Sequence, residues 1–409
     1  MPTASSTAVQ PGARAILIVA LCCLVTMLEG IGLQAPGLTV PVLGPLFHMT
    51  ANAKDWFLSA STFGLIIGAA AGGRLSDLIG RKGVLVVSVV LFAIFSLATA
   101  ASGSIPMLTA MRFLTGLGFG GALPNVIALA VESVPDDKRR TAVGFLYAGL
   151  PTGGGLASLI AALASAPSQW PLVYLVGGAA PLLIAPLLLW ILPRSKPEPK
   201  VAGVSVGVAS ALFGEGRAGR TLLLWMAFFA GLLIMYLLLG WLPSLMVARG
   251  LTRPQASTVQ VAFNWFGALG SVATGLMLDR GRRTLSTALV FAATAAALAY
   301  LAGAPAQLSF AILAGGLVGA TISGAQTVLY SLAPNCYPAR IRGTGVGFAV
   351  AIGRLGSAAG PHLAGLLVGA GRSAEQVLMT LVPIIAVSAC GAILVSILVA
   401  RQAQTATAA

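Results

Sequence analysis

Charge is what this sequence has least of. Only 8% of its 409 residues are charged, whereas an average soluble domain carries about 25%. Hydrophobic residues make up 57%, and the mean hydropathy is +0.95. A chain of this composition cannot cover a soluble surface with charge. The composition therefore excludes an ordinary soluble protein and indicates a polytopic membrane protein.

Groups that carry most enzyme chemistry are also scarce. The chain has ten acidic residues, two histidines and four cysteines, Cys22, Cys23, Cys336 and Cys390. The cysteines have no metal-ligand spacing and lie in or beside apolar runs, so we interpret them as small core residues. The sequence contains no phosphate-binding loop and no recognisable nucleophile–histidine–acid set. We therefore expect no enzyme activity, no cofactor, no metal and no coupling to ATP.

Twelve apolar runs are long enough to span a bilayer at 1.5 Å per helical residue. They predict an all-α fold of twelve transmembrane helices. The runs are 15–36, 55–75, 83–102, 106–132, 141–165, 170–192, 221–246, 256–278, 284–303, 306–332, 341–369 and 375–400.

The longest polar break is rich in Pro, Gly and charge and separates six helices from six. The predicted organisation is an N-terminal tail (1–14), a first half (15–192), a central loop (193–220), a second half (221–400) and a C-terminal tail (401–409). Of the 24 basic residues, 18 fall in loops or tails on one side and four on the other. This asymmetry predicts that both termini are cytoplasmic, and it explains the net charge of +14 without a nucleic-acid partner.

The two halves are related in sequence. Residues 116–153 align without gaps on 319–356, at an offset of 203. The matches include Pro135, Arg139 and Thr141 with Pro338, Arg342 and Thr344. Two halves of the same topology are typical of a transporter that binds its substrate between them and rocks to expose it to either side.

Specific motifs carry a family resemblance. The stretch from Gly73 to Lys82, GRLSDLIGRK, resembles the signature loop of the major facilitator superfamily, and a reduced copy begins at Gly275. Arg112 to Gly118 resembles the second motif of that superfamily. This resemblance covers the whole chain and implies the major facilitator fold.

A narrower resemblance concerns three segments. Residues 118–132 and 353–361 resemble helices 4 and 11 of the aromatic acid:proton symporters, and 28–35 most resembles the branch that imports 3-(3-hydroxyphenyl)propionate. The resemblance implies a symporter of the cell inner membrane that serves aromatic hydrocarbon catabolism and functions as a monomer. One position departs from it, because Gly32 stands where that family has a second acid in helix 1. We expect this change to affect substrate preference or proton coupling.

Charged residues inside predicted spans are the first site candidates. Glu29 is the only acid deep inside a span, where a carboxyl that binds and releases a proton can couple transport to a gradient. The alternative is a permanently protonated or ion-paired structural residue. Arg112 is the second proton-coupling candidate, as a modulator of Glu29; the alternative is an arginine that snorkels to the outer face.

Arg354 lies mid-span, and its planar guanidinium suits the carboxylate of an organic anion. The alternative is an arginine paired with backbone carbonyls or with an acid of the other half. Other polar or aromatic residues inside spans are weaker substrate-binding candidates, since each is more often an interhelical contact. They are Gln34, Asn125, Tyr236, Asn264, Trp265, Gln326 and His362.

A third group of candidates lies in the loops on the basic side. There the glycines permit close backbone approach, and Asp77 can cap a helix or pair with an arginine. The resemblance implies that such contacts close this side of the transporter; the alternative is a loop that only sets orientation. The gating candidates are Gly73, Asp77, Gly80, Arg81, Lys82 and Arg342, with Glu132–Arg139 and Asp279–Arg282 as expected ion pairs.

The leading hypothesis is import of an aromatic carboxylate, such as a hydroxyphenylpropanoate, together with protons. The alternative is a proton-coupled exporter of drugs or metabolites, which would have no need of Arg354. A membrane sensor is disfavoured because the loops and tails are too short for a signalling domain.

Overall fold

A computed structural model describes residues 11–163, 166–193, 207–281, 283–305 and 307–408. Within these ranges the chain is all-α, as predicted, and forms twelve long helices. They are α1 (Pro11–Leu46), α2 (Ala51–Ile79), α3 (Arg81–Ala100), α4 (Ile105–Ser133), α5 (Arg139–Leu163), α6 (Leu172–Ile191), α7 (Ala218–Ala248), α8 (Arg253–Arg280), α9 (Arg283–Gly303), α10 (Leu308–Leu332), α11 (Arg342–Gly369) and α12 (Ala374–Ala408). A short unnumbered helix, Val208–Phe213, precedes α7.

Length and composition suit these helices to a membrane. Eleven of them are long and apolar enough to cross a bilayer. The remaining helix, α11, has 28 residues but is less apolar, because it contains Arg354, His362 and many glycines. The end of the bundle at which α1 begins and α12 ends is called the terminal face below.

Several helices extend beyond their predicted ends. The predicted span 15–36 corresponds to Pro11–Leu46, and α12 continues into the predicted tail. Helix α2 continues to Ile79, so the loop predicted from Gly73 onward is mostly helical. The break is confined to Gly80, whose φ of 95° is a conformation that favours glycine. Hydropathy underestimates these ends because the helical backbone continues after the apolar run has stopped.

Equivalent helices pack against each other in the two halves. In the first half, α2 packs on α4, α1 on α5 and α3 on α6. In the second half, the equivalent pairs are α8 with α10, α7 with α11 and α9 with α12. The halves meet mainly through α2 with α11 and α5 with α8. The sequence repeat thus corresponds to a repeated packing scheme.

Glycines at equivalent positions allow two of these helix pairs to approach closely. A methyl group on Gly116 of α4 would overlap the backbone of Ser61 in α2. Its repeat partner, Gly319 of α10, faces the backbone of Phe263 in α8 in the same way. Small residues of this kind bring helix backbones together in membranes, where the hydrophobic effect does not drive helix association.

We expect Gly116→Ala to lower the thermal unfolding temperature of the detergent-solubilised protein, because overpacking costs about 1–3 kcal/mol. Gly155→Ala is the matched control, since a methyl group there meets nothing within 4 Å. Helix propensity alone should make that control neutral or slightly stabilising. Equal unfolding temperatures for the two variants would contradict this packing.

Candidate functional site

Among the described residues, three charged side chains are buried within long helices, away from the helix ends. Glu29 on α1 and Arg112 on α4 are 0% exposed, and Arg354 on α11 is 2% exposed. Charge in such surroundings is costly unless it is compensated. The partners of these residues therefore define the candidate site.

Glu29 and Arg354 belong to different halves and interact electrostatically. Arg354 also donates a hydrogen bond from Nη1 to the hydroxyl of Tyr236, and its Cζ lies 5.4 Å from the centre of that ring. Within the described part of the chain, neither carboxyl oxygen of Glu29 nor Nε of Arg354 has a hydrogen-bond partner. Both charged groups therefore retain capacity for another ligand.

Two further tyrosines complete this arrangement. The rings of Tyr147 on α5 and Tyr330 on α10 have centroids 5.2 Å apart, and both residues lie near Glu29 and Arg354. Phe228 on α7 packs edge-on against Tyr330, at 5.0 Å between centroids. Glu29, Tyr147, Tyr236, Tyr330 and Arg354 are called the central cluster below.

Sequence reasoning missed Tyr147 and Tyr330. It selected Tyr236 for having a polar hydroxyl within a span, and the same signal was present at the other two positions. Their rings pair across the interface between α5 and α10, a contact that the local pattern does not reveal.

Arg112 lies apart from the central cluster. Its Nη2 donates to the carbonyl of Gly32 at 2.9 Å and to Oγ of Ser61 at 3.2 Å, and its Cζ is 5.7 Å from the ring centre of Tyr174. Glu29 is not among these contacts, so the geometry does not support the predicted modulation of Glu29 by Arg112. The snorkelling alternative is wrong, because the guanidinium is fully buried.

Gly32 has a packing role in addition to its carbonyl bond. A side chain at this position would overlap the ring of Phe119, which is 1% exposed and lies tilted against the ring of Phe92, at 4.8 Å between centroids. The acid expected at this position from the family resemblance is therefore replaced by an aromatic contact.

The weaker candidates separate by burial. Asn125 is buried and donates from Nδ2 to the carbonyl of Gly121 at 2.8 Å, and Gln326 is 0% exposed. Gln34 and Asn264 are half-buried. Trp265 is 58% exposed and His362 is exposed, so we remove both from the candidate site.

On the terminal face, Asp77 joins the halves by capping a helix. Its Oδ1 accepts from the backbone nitrogen of Gly343 at 2.9 Å, and its Oδ2 accepts from the backbone nitrogen and hydroxyl of Thr344 at 2.7 and 2.6 Å. These donors lie in the first turn of α11, where backbone N–H groups have no intrahelical partner and the helix dipole favours an anion. Gly73 fits directly against Gly343, leaving no room for a side chain.

Asp279 makes the equivalent contact in the other direction. It accepts from the backbone nitrogens of Arg140 at 3.2 Å and Thr141 at 2.7 Å, in the first turn of α5. Thr141 and Thr344 are partners in the sequence repeat. The two caps therefore form one repeated device, which holds α2 to α11 and α8 to α5.

Ion pairs at the terminal face differ from those predicted. Glu132 pairs with Arg81 and with Arg342, at 3.3 Å, and not with Arg139. Arg139 pairs with Asp136 at 2.8 Å, because the turn between α4 and α5 brings those two residues together.

Asp279 pairs with Arg140 at 3.1 Å, and its predicted partner Arg282 lies outside the described residues. Lys82 donates to the carbonyl of Leu192 at 2.7 Å, within its own half.

A surface groove of about 840 Å³ between α2 and α4 is not part of this arrangement. Its lining includes Trp56, Phe63 and Phe113, and it contains none of the charged residues described above. Since Trp56 is 56% and Phe63 44% exposed, the groove faces away from the central cluster.

Two six-helix halves that enclose buried charges and are clamped at one face define a membrane transport protein rather than an enzyme. The sequence model that describes the Major Facilitator Superfamily matches residues 22–361 and 224–407 of this chain. The chain belongs to this superfamily.

Relatives point in the same direction. The chain is 40% identical over 372 residues to the 3-(3-hydroxy-phenyl)propionate transporter of Escherichia coli K12, covering 90% of this chain and 91% of the relative. It is 34% identical to the 4-hydroxybenzoate transporter PcaK of Pseudomonas aeruginosa, covering 89% of each. The solved E. coli fucose:proton symporter FucP shares the fold, with a TM-score of 0.78, 16% identity, and coverage of 93% of this chain and 98% of that one.

We expect Asp77→Ala to open the terminal face, because it removes three charge-assisted hydrogen bonds between the halves. At about 1–2 kcal/mol net, the loss should raise the open population roughly tenfold. The measurement is the distance distribution between spin labels at Lys138 and Arg340 in a variant without native cysteines. Asp137→Ala, at an exposed acid, is the control. The same distribution in both variants would contradict the clamp.

Proposed function

We propose that the protein imports a hydroxylated aromatic carboxylate together with protons, by exposing the central cluster alternately to the two sides of the membrane. The observation that carries this proposal is the buried guanidinium of Arg354, which lies beside three tyrosines and opposite a carboxyl of the other half. The aromatic acids named for the relatives support the substrate class.

Arg354 is proposed to bind the substrate carboxylate. Its hydrogen bond to Tyr236 and its position against that ring fix one side of the guanidinium, while Nε has no hydrogen-bond partner within the described residues. Arginine holds a carboxylate through two parallel hydrogen bonds, which are strong where water is excluded. The neighbouring tyrosine rings offer the apolar and aromatic surface that a benzene ring requires.

Glu29 is proposed to carry the proton. Two carboxylates would compete for Arg354, since it can be neutralised by Glu29 or by the substrate. When the substrate binds, Glu29 loses its counter-charge and is more stable as the neutral acid in its buried site. Substrate and proton would then cross together, which is symport, without a second acid at Gly32.

The terminal face is proposed to be the cytoplasmic one, with both chain ends inside and the protein in the inner (plasma) membrane. The distribution of basic residues supports this orientation. The caps formed by Asp77 and Asp279 would then close the cytoplasmic side. Their opening would release the substrate into the cell.

The direct test is uptake of radiolabelled 3-(3-hydroxyphenyl)propionate into proteoliposomes, with and without an inside-alkaline pH gradient. We expect saturable uptake that accumulates against a concentration gradient only when the pH gradient is present. Equal uptake with and without the pH gradient would contradict proton coupling. Failure to take up this acid and also 4-hydroxybenzoate would contradict the substrate class.

We expect Arg354→Lys to raise the Kd for the substrate at least tenfold, because lysine keeps the charge but loses the planar pair of donors. Direct binding to the purified protein is the measurement, and Arg372→Lys, at an exposed arginine, is the control. An unchanged Kd in a folded Arg354→Lys protein would refute the assignment.

We expect Glu29→Gln to abolish accumulation driven by the pH gradient while leaving exchange of internal for external substrate intact. The neutral amide cannot release a proton, but it still allows the substrate carboxylate to occupy Arg354. Glu375→Gln, at an exposed acid, should behave like wild type. Normal gradient-driven accumulation by Glu29→Gln would exclude Glu29 as the proton carrier.

A further inference from the structure

Among the described residues, α10 has four buried polar side chains without a hydrogen-bond partner: Ser323, Gln326, Tyr330 and Ser331. Gln326 and Tyr330 are the two larger ones. Gln326 is 0% and Tyr330 is 1% exposed. Among the described residues, Oε1 and Nε2 of Gln326 and the hydroxyl of Tyr330 have no hydrogen-bond partner. A buried polar group without a partner costs about 1–3 kcal/mol, so this pair of residues requires a ligand or another explanation.

The two residues are four positions apart and therefore lie on one face of α10, about one helical turn apart. The ring of Tyr330 is packed against Tyr147 and Phe228, which fixes the position of its hydroxyl in the central cluster. The side chain of Gln326 lies against Gly231 of α7, where an added methyl group would come within 3.0 Å of Nε2. Both polar groups are thus held by packing rather than by hydrogen bonds.

The chemistry of the pair differs from that of Arg354. An amide presents both donors and an acceptor, and a phenolic hydroxyl also donates and accepts. A carboxylate only accepts hydrogen bonds, and the guanidinium of Arg354 already supplies donors for it. A ligand hydroxyl group both donates and accepts, so it matches Gln326 and Tyr330 together.

We propose that Gln326 and Tyr330 recognise a hydroxyl group on the aromatic ring of the substrate while Arg354 binds its carboxylate. This inference rests on the proposed function and adds a selectivity to it. A ring without the hydroxyl would leave both side chains buried and unpaired, and sites built for a hydroxyl strongly reject analogues that lack it. The transporter therefore selects hydroxylated aromatic acids over their unsubstituted counterparts.

The test compares uptake of 3-(3-hydroxyphenyl)propionate and 3-phenylpropionate, which differ only in that hydroxyl. We expect wild-type kcat/KM to favour the hydroxylated acid at least tenfold. In Tyr330→Phe and in Gln326→Leu this ratio should fall at least fivefold, through slower uptake of the hydroxylated acid. Uptake of 3-phenylpropionate should persist, which shows that the variants are folded. Tyr300→Phe, at an exposed tyrosine, should keep the wild-type ratio.

The outcomes separate this inference from the proposed function. Equal uptake of the two acids by wild type, or an unchanged ratio in both variants, would overturn the hydroxyl recognition and leave aromatic acid import standing. Uptake of neither acid by wild type would contradict the proposed function, and the inference with it. A variant that is folded by circular dichroism but takes up neither acid would assign its residue to packing and overturn its role in recognition.

Discussion

The free-energy cost of burying charge inside a membrane-embedded helix bundle constrains the conformations of this protein. Among the described residues, the central cluster brings together one carboxyl and one guanidinium from opposite halves. Neither can be left uncompensated when the halves separate, because an isolated charge in low dielectric is far less stable than a paired one. Whatever neutralises Arg354 therefore helps to decide which conformations are accessible. In this account the substrate carboxylate and Glu29 take that role in turn.

The clamps at the terminal face obey a related constraint. The first turn of a helix has N–H groups that need acceptors, and here Asp77 and Asp279 supply them from the opposite half. Because each cap is also a contact between the halves, opening the face exposes the helix ends as well as the carboxylates. The two caps occupy repeat-related positions, so the closed face is held on both sides of the interface. This arrangement favours two discrete states over a gradual opening.

The sequence predicted the features that depend on local pattern. Hydropathy located twelve helices, and the repeat corresponds to the repeated packing of two sets of six. The scarcity of charge within spans selected Glu29 and Arg354, which are buried, and their roles stay predictions. The sequence was less informative about which side chains contact each other. Glu132 pairs with Arg81 and Arg342 rather than with Arg139, and the contribution of Tyr147 and Tyr330 depends on packing between α5 and α10. These contacts join residues far apart in the chain, and they follow from how helices pack rather than from local spacing. The exposure of Trp265 and His362 could not be predicted either, because it also depends on how the helices pack.

The central claim is that Arg354 is neutralised by the carboxylate of the substrate. The most direct measurement is calorimetric binding of 3-(3-hydroxyphenyl)propionate and of its primary amide to the purified protein at one pH. The two ligands share the ring and the hydroxyl and differ in charge. The neutral amide cannot replace Glu29 as the counter-charge of Arg354, whereas the carboxylate of the acid can, so the acid should bind about 100-fold more tightly than the amide. Equal affinities would contradict the account.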